Sequence, residues 1–117
     1  MKKVLIIEDN EDISTILKKK LQKTGFSVDV ADSGFSVLSR LKNSPEPDIV
    51  ILDIILPQRS GVELLCSLKS VWKMCKVYIF SGHEEYRDKE TLREYINGFF
   101  LKSEGMNKLI EALKPYL

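Results

Sequence analysis

A chain of 117 residues, 44% hydrophobic and 30% charged, can bury one real core and is neither a disordered tail nor a membrane protein. Its net charge of +1 comes without a broad basic stretch, which argues against nucleic-acid binding, and no apolar run approaches the roughly 20 residues of a membrane span. The start, MKKVLIIEDN, has too short an apolar run for a signal peptide and ends in acids, so it reads as a buried strand.

That first strand covers Lys3–Ile7. Asn10 can cap a helix, and Glu11 and Asp12 suit the positive end of its dipole. Ile13, Ile16, Leu17 and Leu21 recur at helical spacing until Thr24-Gly25 ends the element. Lys18, Lys19, Lys20 and Lys23 fall on the outer face of this helix as ordinary solvated lysines.

A second strand is predicted at Ser27–Ala31 and a second helix from about Ser33, with Val37, Leu38 and Leu41 as its apolar stripe and Asn43-Ser44-Pro45 as its stop. Residues 48–52 hold IVIL, the most hydrophobic strand, which belongs in the centre of a sheet. Asp53 stands at its end, before a loop over residues 54–60 that contains Pro57. Gly61 opens a third helix carrying Val62, Leu65 and Leu68.

A fourth strand follows over residues 76–80, and Ser81-Gly82-His83 turns away from it into a weakly patterned helix around residues 92–96. Gly98 precedes the last strand, FFL, which ends at Lys102, and Met106, Leu109, Ile110 and Leu113 form a closing amphipathic helix. Cys66 and Cys75 make no CxxC pair and no metal cluster with His83, so both read as packed, reduced thiols.

Five strands, each followed by a helix, make a single α/β domain over residues 1–117. A doubly wound five-stranded parallel sheet, flavodoxin-like with order 2-1-3-4-5 and helices on both faces, fits this length. Sites in such folds form beyond the carboxyl ends of the strands. Glu8-Asp9, Asp53, Ser81 and Lys102 all stand there.

Taken singly, each has an ordinary explanation as a turn or capping residue. Together, three carboxylates crowded without compensation repel one another, and a hard divalent cation relieves them. Lys102 adds a fixed positive charge. A nucleophile, a metal and donors for equatorial oxygens are what phosphoryl transfer requires.

On these residues the chain resembles the receiver domain of two-component response regulators, including the single-domain chemotaxis-regulator type. The resemblance covers essentially the whole chain: Glu8-Asp9, Asp53 after IVIL, Pro57 and Gly61, Ser81-Gly82, and Lys102 after GFFL. It implies that Asp53 is the phosphoacceptor, a carboxylate nucleophile that forms an acyl phosphate. It implies Mg²⁺ (or Mn²⁺) held by Asp9, Asp53 and the backbone carbonyl of Ile55, with Glu8 acting through a water. Lys102 would pair with the carboxylate and then with the phosphoryl oxygen, while Ser81 and the N–H of Gly82 would bond the phosphoryl group.

By the same resemblance, Ser81 and Phe99 form the switch, which repacks the face made by the fourth helix, fifth strand and fifth helix. The phosphoryl donor would be a histidine kinase or histidine phosphotransfer protein, and the output a downstream effector domain or protein, or a phosphorylation-dependent homodimer. The protein would be a cytoplasmic phosphoacceptor that assists its own phosphorylation and dephosphorylation rather than an enzyme in the usual sense, with no direct nucleic-acid or membrane contact.

Some positions depart from the family pattern. Ser103 replaces the proline that usually follows the lysine in a cis peptide, and a cis bond before a non-proline residue costs roughly 3 kcal/mol. The bond is therefore trans, or cis with strain. Glu8 replaces the commoner aspartate, and Phe99 lacks the hydroxyl of the frequent tyrosine. Ile55 and His83 occupy the two positions flanking the phosphoryl group: Ile55 is bulky enough to hinder water, and His83 either orients one or faces solvent. Rival readings are a degenerate receiver that binds proteins without phosphorylation, a flavin-binding protein, and an aspartyl phosphatase. EDNED after the first strand would repel a flavin's phosphate tail, and Asp53-Ile54-Ile55 lacks the second acid of the phosphatase pattern.

Overall fold

Alternation along the strands decides how the layers form. The computed structural model describes residues 1–57 and 60–117, without the side chain of Thr91; Gln58 and Arg59, inside the expected loop 54–60, lie outside the described residues. Strands β1 (Lys3–Ile7), β2 (Ser27–Ala31), β3 (Ile49–Leu52), β4 (Lys76–Ser81) and β5 (Gly98–Leu101) form one parallel sheet in the order β2-β1-β3-β4-β5. That is the expected doubly wound topology.

Leu5, Ile7, Val50, Leu52, Val77 and Ile79 point to one face, where they meet Val37 of α2 (Gly34–Asn43), Leu64, Leu65 and Leu68 of α3 (Gly61–Val71), and Leu92 of α4 (Glu90–Arg93). Their neighbours Val4, Ile6, Ile49, Ile51, Tyr78 and Phe80 point to the other, against Leu17 and Leu21 of α1 (Glu11–Thr24) and Leu109, Ile110 and Leu113 of α5 (Asn107–Leu113). All four residues of β3 are buried, as a strand covered on both faces must be. No helix among the described residues is long and apolar enough to cross a membrane.

The helix signals act as expected at several ends. Asn10 accepts the N–H of Ile13 at 3.1 Å and Ser33 accepts that of Ser36 at 3.1 Å, each satisfying a donor left free in the first turn. Gly25 ends α1 with φ 122°, a backbone conformation that other residues rarely adopt.

Several boundaries and faces need correction. Ile16 is 50% exposed and stands off the buried face of α1, which Ser14, Leu17 and Leu21 form. Leu64, absent from the predicted stripe of the third helix, is fully buried. The fourth helix is one turn at Glu90–Arg93, not around 92–96, and a 3₁₀ turn at Glu84–Tyr86 precedes it; among its described side chains Leu92 alone is buried. Ser81 is the last residue of β4, and Lys102 opens a 3₁₀ turn beyond β5. Of the two thiols only Cys75 is buried, where desolvation pushes it up to about 11; Cys66 is exposed on α3.

Gly61 sets the depth of the loop after β3. A Cβ there would lie 2.5 Å from the Ile54 Cα and 2.7 Å from the Asp53 carbonyl oxygen, so only glycine lets α3 start so close behind Asp53. Gly61→Ala is expected to lower stability by about 1–3 kcal/mol through overpacking. Gly82→Ala, whose Cβ would meet nothing within 4 Å, should leave the unfolding midpoint nearly unchanged. Urea unfolding of the two variants side by side checks the contrast.

Candidate functional site

Because the strands are parallel, their carboxyl ends open on one edge, and the predicted residues gather there. Glu8 follows β1, Asp53 follows β3, Ser81 ends β4 and Lys102 follows β5. A cleft of about 300 Å³ is lined by Glu8, Asp9, Asn10, Ile13, Asp53, Ile55, Gly82, His83 and Lys102.

Lys102 is the hub. Its Nζ lies 2.6 Å from a Glu8 oxygen and 2.9 Å from Asp53 Oδ2. No peptide bond among the described residues is cis, so Lys102 reaches both acids through an ordinary trans peptide before Ser103. Asp53 is 6% exposed, and its other oxygen, Oδ1, accepts the N–H of Ile55 at 3.2 Å. Glu8 is 3% exposed, and its Oε2 accepts the N–H of Asn10 at 3.2 Å. Asp9 is exposed at the rim.

Glu8, Asp9 and Asp53 each bring an oxygen within 4.8 Å of the others. Burial raises the Glu8 pKa above 4.5, Lys102 opposes that shift, and the Asp53 charge adds to it. The ammonium of Lys102 is itself held above 10.5, because its bonds to Glu8 and Asp53 outweigh its burial. Three carboxylates against one ammonium leave two negative charges in excess, the deficit one divalent cation cancels. All the side-chain donors are hard oxygens, which fits Mg²⁺ or Mn²⁺.

Ser81 does not line the cleft. It is fully buried, and its Oγ accepts the N–H of His83 at 3.1 Å. Gly82 and His83 lie at the surface instead, and His83 Nδ1 is 3.2 Å from Glu85. Ile55 is 44% exposed over the cleft. Phe99 is partly buried, packed on the α3 side of the sheet.

One neighbour of this cluster escaped the sequence reading. Arg87 stands over the Phe99 ring, its Cζ 5.5 Å from the centroid, and reaches Glu104 at 3.4 Å. Residues 87, 99 and 104 share no periodicity, so only the fold reveals that they meet.

Comparison with known proteins shows the family. The response regulator receiver domain family matches residues 4–114, and the chain belongs to that family. Its relatives include the transcriptional regulatory protein KdpE of Mycobacterium tuberculosis, 31% identical over 112 residues, or 95% of this chain and 49% of KdpE. The chain thus spans about half the length of that relative. Among solved structures, the response regulator protein TrrA of Thermotoga maritima in complex with Mg²⁺ and BeF superposes with a TM-score of 0.88 at 30% identity, covering 100% of both chains. TrrA in complex with the histidine kinase ThkA gives 0.85 at 30% identity, covering 100% of this chain and 99% of TrrA.

The sign of the Glu8 shift yields a prediction. A carboxyl raised above 4.5 in the folded state favours folding most below that pH, and its contribution disappears as pH rises through the raised value. The side-chain carboxyl of Glu8, followed by carbon NMR in metal-free protein, should titrate above 4.5; a midpoint at or below 4.5 contradicts the geometry.

Proposed function

We propose that this receiver domain accepts a phosphoryl group on Asp53 from a phosphohistidine of a histidine kinase or histidine phosphotransfer protein, with Mg²⁺ or Mn²⁺ in the cleft. The observation that carries the reading is the buried Asp53 carboxylate, held by Lys102 at 2.9 Å beside Glu8 and Asp9. TrrA, crystallised with Mg²⁺ and BeF and with a histidine kinase, supports it by likeness.

In this reading an oxygen of Asp53 attacks the phosphorus in line, the bond from phosphorus to the histidine nitrogen breaks, and an acyl phosphate forms. Asp9, Asp53 and the carbonyl of Ile55 would hold the metal, and Glu8 would act through a water. The metal supplies charge neutralisation for the transferred group. Lys102 follows its partner carboxylate onto a phosphoryl oxygen, and the Gly82 N–H donates to another.

Ser81 then gives up the His83 N–H and turns toward the phosphoryl group. Phe99 moves into the space that Ser81 leaves, and the face of α4, β5 and α5 repacks as the output. A thin α4 suits such a part, because one turn with a single buried anchor has little to hold it in place. The protein acts in the cytoplasm as a phosphoacceptor that assists its own phosphorylation and dephosphorylation, and its partner on the output side is an effector domain, another protein or a second copy.

Incubation with Mg²⁺ and a small acyl-phosphate donor should raise the intact mass by one phosphoryl group. Asp53→Asn should abolish the gain, and Lys102→Ala should slow it by roughly 10²-fold. No gain in the wild type, or a gain that survives Asp53→Asn, overturns the assignment in favour of a degenerate receiver.

A further inference from the structure

The two segments that deliver Ser81 and Lys102 to the cleft meet again outside it. Beyond Ser81 and Gly82 the chain runs through the 3₁₀ turn Glu84–Tyr86 directly into Arg87. Beyond β5, Lys102 opens the turn Lys102–Glu104. The Arg87 guanidinium lies 3.4 Å from Glu104 and 3.6 Å from Glu84, and Glu104 in turn meets Lys108 of α5 at 2.8 Å. Under Arg87 lies the ring of Phe99, which stands beside Ile79 of β4 in the sheet. One side chain therefore touches the connection after β4, the β5 aromatic and the turn that begins with Lys102.

We propose that Arg87 is a clasp that holds Phe99 in its resting position and sets how readily the domain switches. This deepens, and rests on, the phosphoacceptor reading above. The ion pairs alone are weak candidates for such a role, since the side chains of Arg87 and Glu104 are each 38% exposed and solvent screens them. The contact with the ring is different in kind. A guanidinium is attracted to an aromatic face while its planar fork still holds a carboxylate, so Glu84 and Glu104 aim the charge that the ring receives.

The contact with Phe99 exists only while the ring lies beneath Arg87. Once the ring turns inward the contact is lost, so Arg87 favours the resting state alone. A group that distinguishes two states shifts their balance by its full difference between them. Linkage makes the effect reciprocal: whatever favours the resting state weakens binding of a phosphoryl group or its mimic by the same factor. The clasp also joins both segments that a phosphoryl group would draw inward, one through Ser81 and Gly82 and the other through Lys102.

The test titrates the 117-residue chain with beryllium fluoride in Mg²⁺ and follows the backbone amides of residues 98–101 by NMR. Arg87→Met keeps an apolar stem over the ring and removes the charge. It should tighten beryllofluoride binding by about two- to fivefold. It should also move the free-state resonances toward their saturated positions. In a Phe99→Leu background the same substitution should change neither. If Arg87→Met leaves affinity and resonances unchanged, or tightens binding equally without the ring, the clasp is wrong and the phosphoacceptor reading stands. If the wild type takes up no beryllofluoride, the phosphoacceptor reading itself fails and the clasp falls with it.

Discussion

Everything at the carboxyl edge depends on one ammonium group held between two buried carboxylates. Lys102 lies 2.6 Å from Glu8 and 2.9 Å from Asp53, and both acids are almost wholly withdrawn from water. Removing one partner from such a cluster leaves a buried charge uncompensated, which costs more than an exposed ion pair contributes. The sheet makes the cluster unavoidable, because β1, β3 and β5 are parallel and end on one side. Even with Lys102 the acids keep two negative charges in excess. That excess of negative charge on hard oxygens fits a small divalent cation.

The side of the sheet at β4 and β5 is built differently. β3 is buried on every side and α3 starts at Gly61 close against Asp53, so Asp53 sits on the firmly packed part of the fold. β4 hands over to a 3₁₀ turn and a single turn of α4, and β5 has no fully buried residue. A phosphoryl group on Asp53 would act on the elements held least firmly. Arg87 is placed to decide how much those elements resist.

Much of this was legible in the sequence, for physical reasons. IVIL can be nothing but a central strand, and an acid directly after it must stand at the sheet edge. Asn10 and Gly25 announce helix ends through their own chemistry, and the structure uses both of them. The acidic pair, Asp53 and Lys102 could be placed together because strand order, once fixed, fixes which loops are neighbours. The fourth helix was legible only faintly: residues 84–96 carry mixed charge, and Tyr86, Leu92 and Ile96 reach the core at no helical spacing, so neither its length nor its start is written in a period. Ile16 was misplaced because helical spacing marks a face about two residues wide, and packing decides which of its edges is covered. Arg87 with Phe99 and Glu104 was invisible, since a contact among a turn, a strand and a second turn leaves no pattern along the chain.

The claim on which the rest stands is that Glu8, Asp9, Asp53 and Lys102 form a site short of one divalent cation. Calorimetric titration of the metal-free protein with Mg²⁺ measures that shortage directly. One ion per chain should bind, and Asp9→Asn or Asp53→Asn should each weaken it by about tenfold or more. Absence of binding, or an affinity that neither substitution changes, would mean that the cluster is balanced as it stands and serves only to hold the strand ends together.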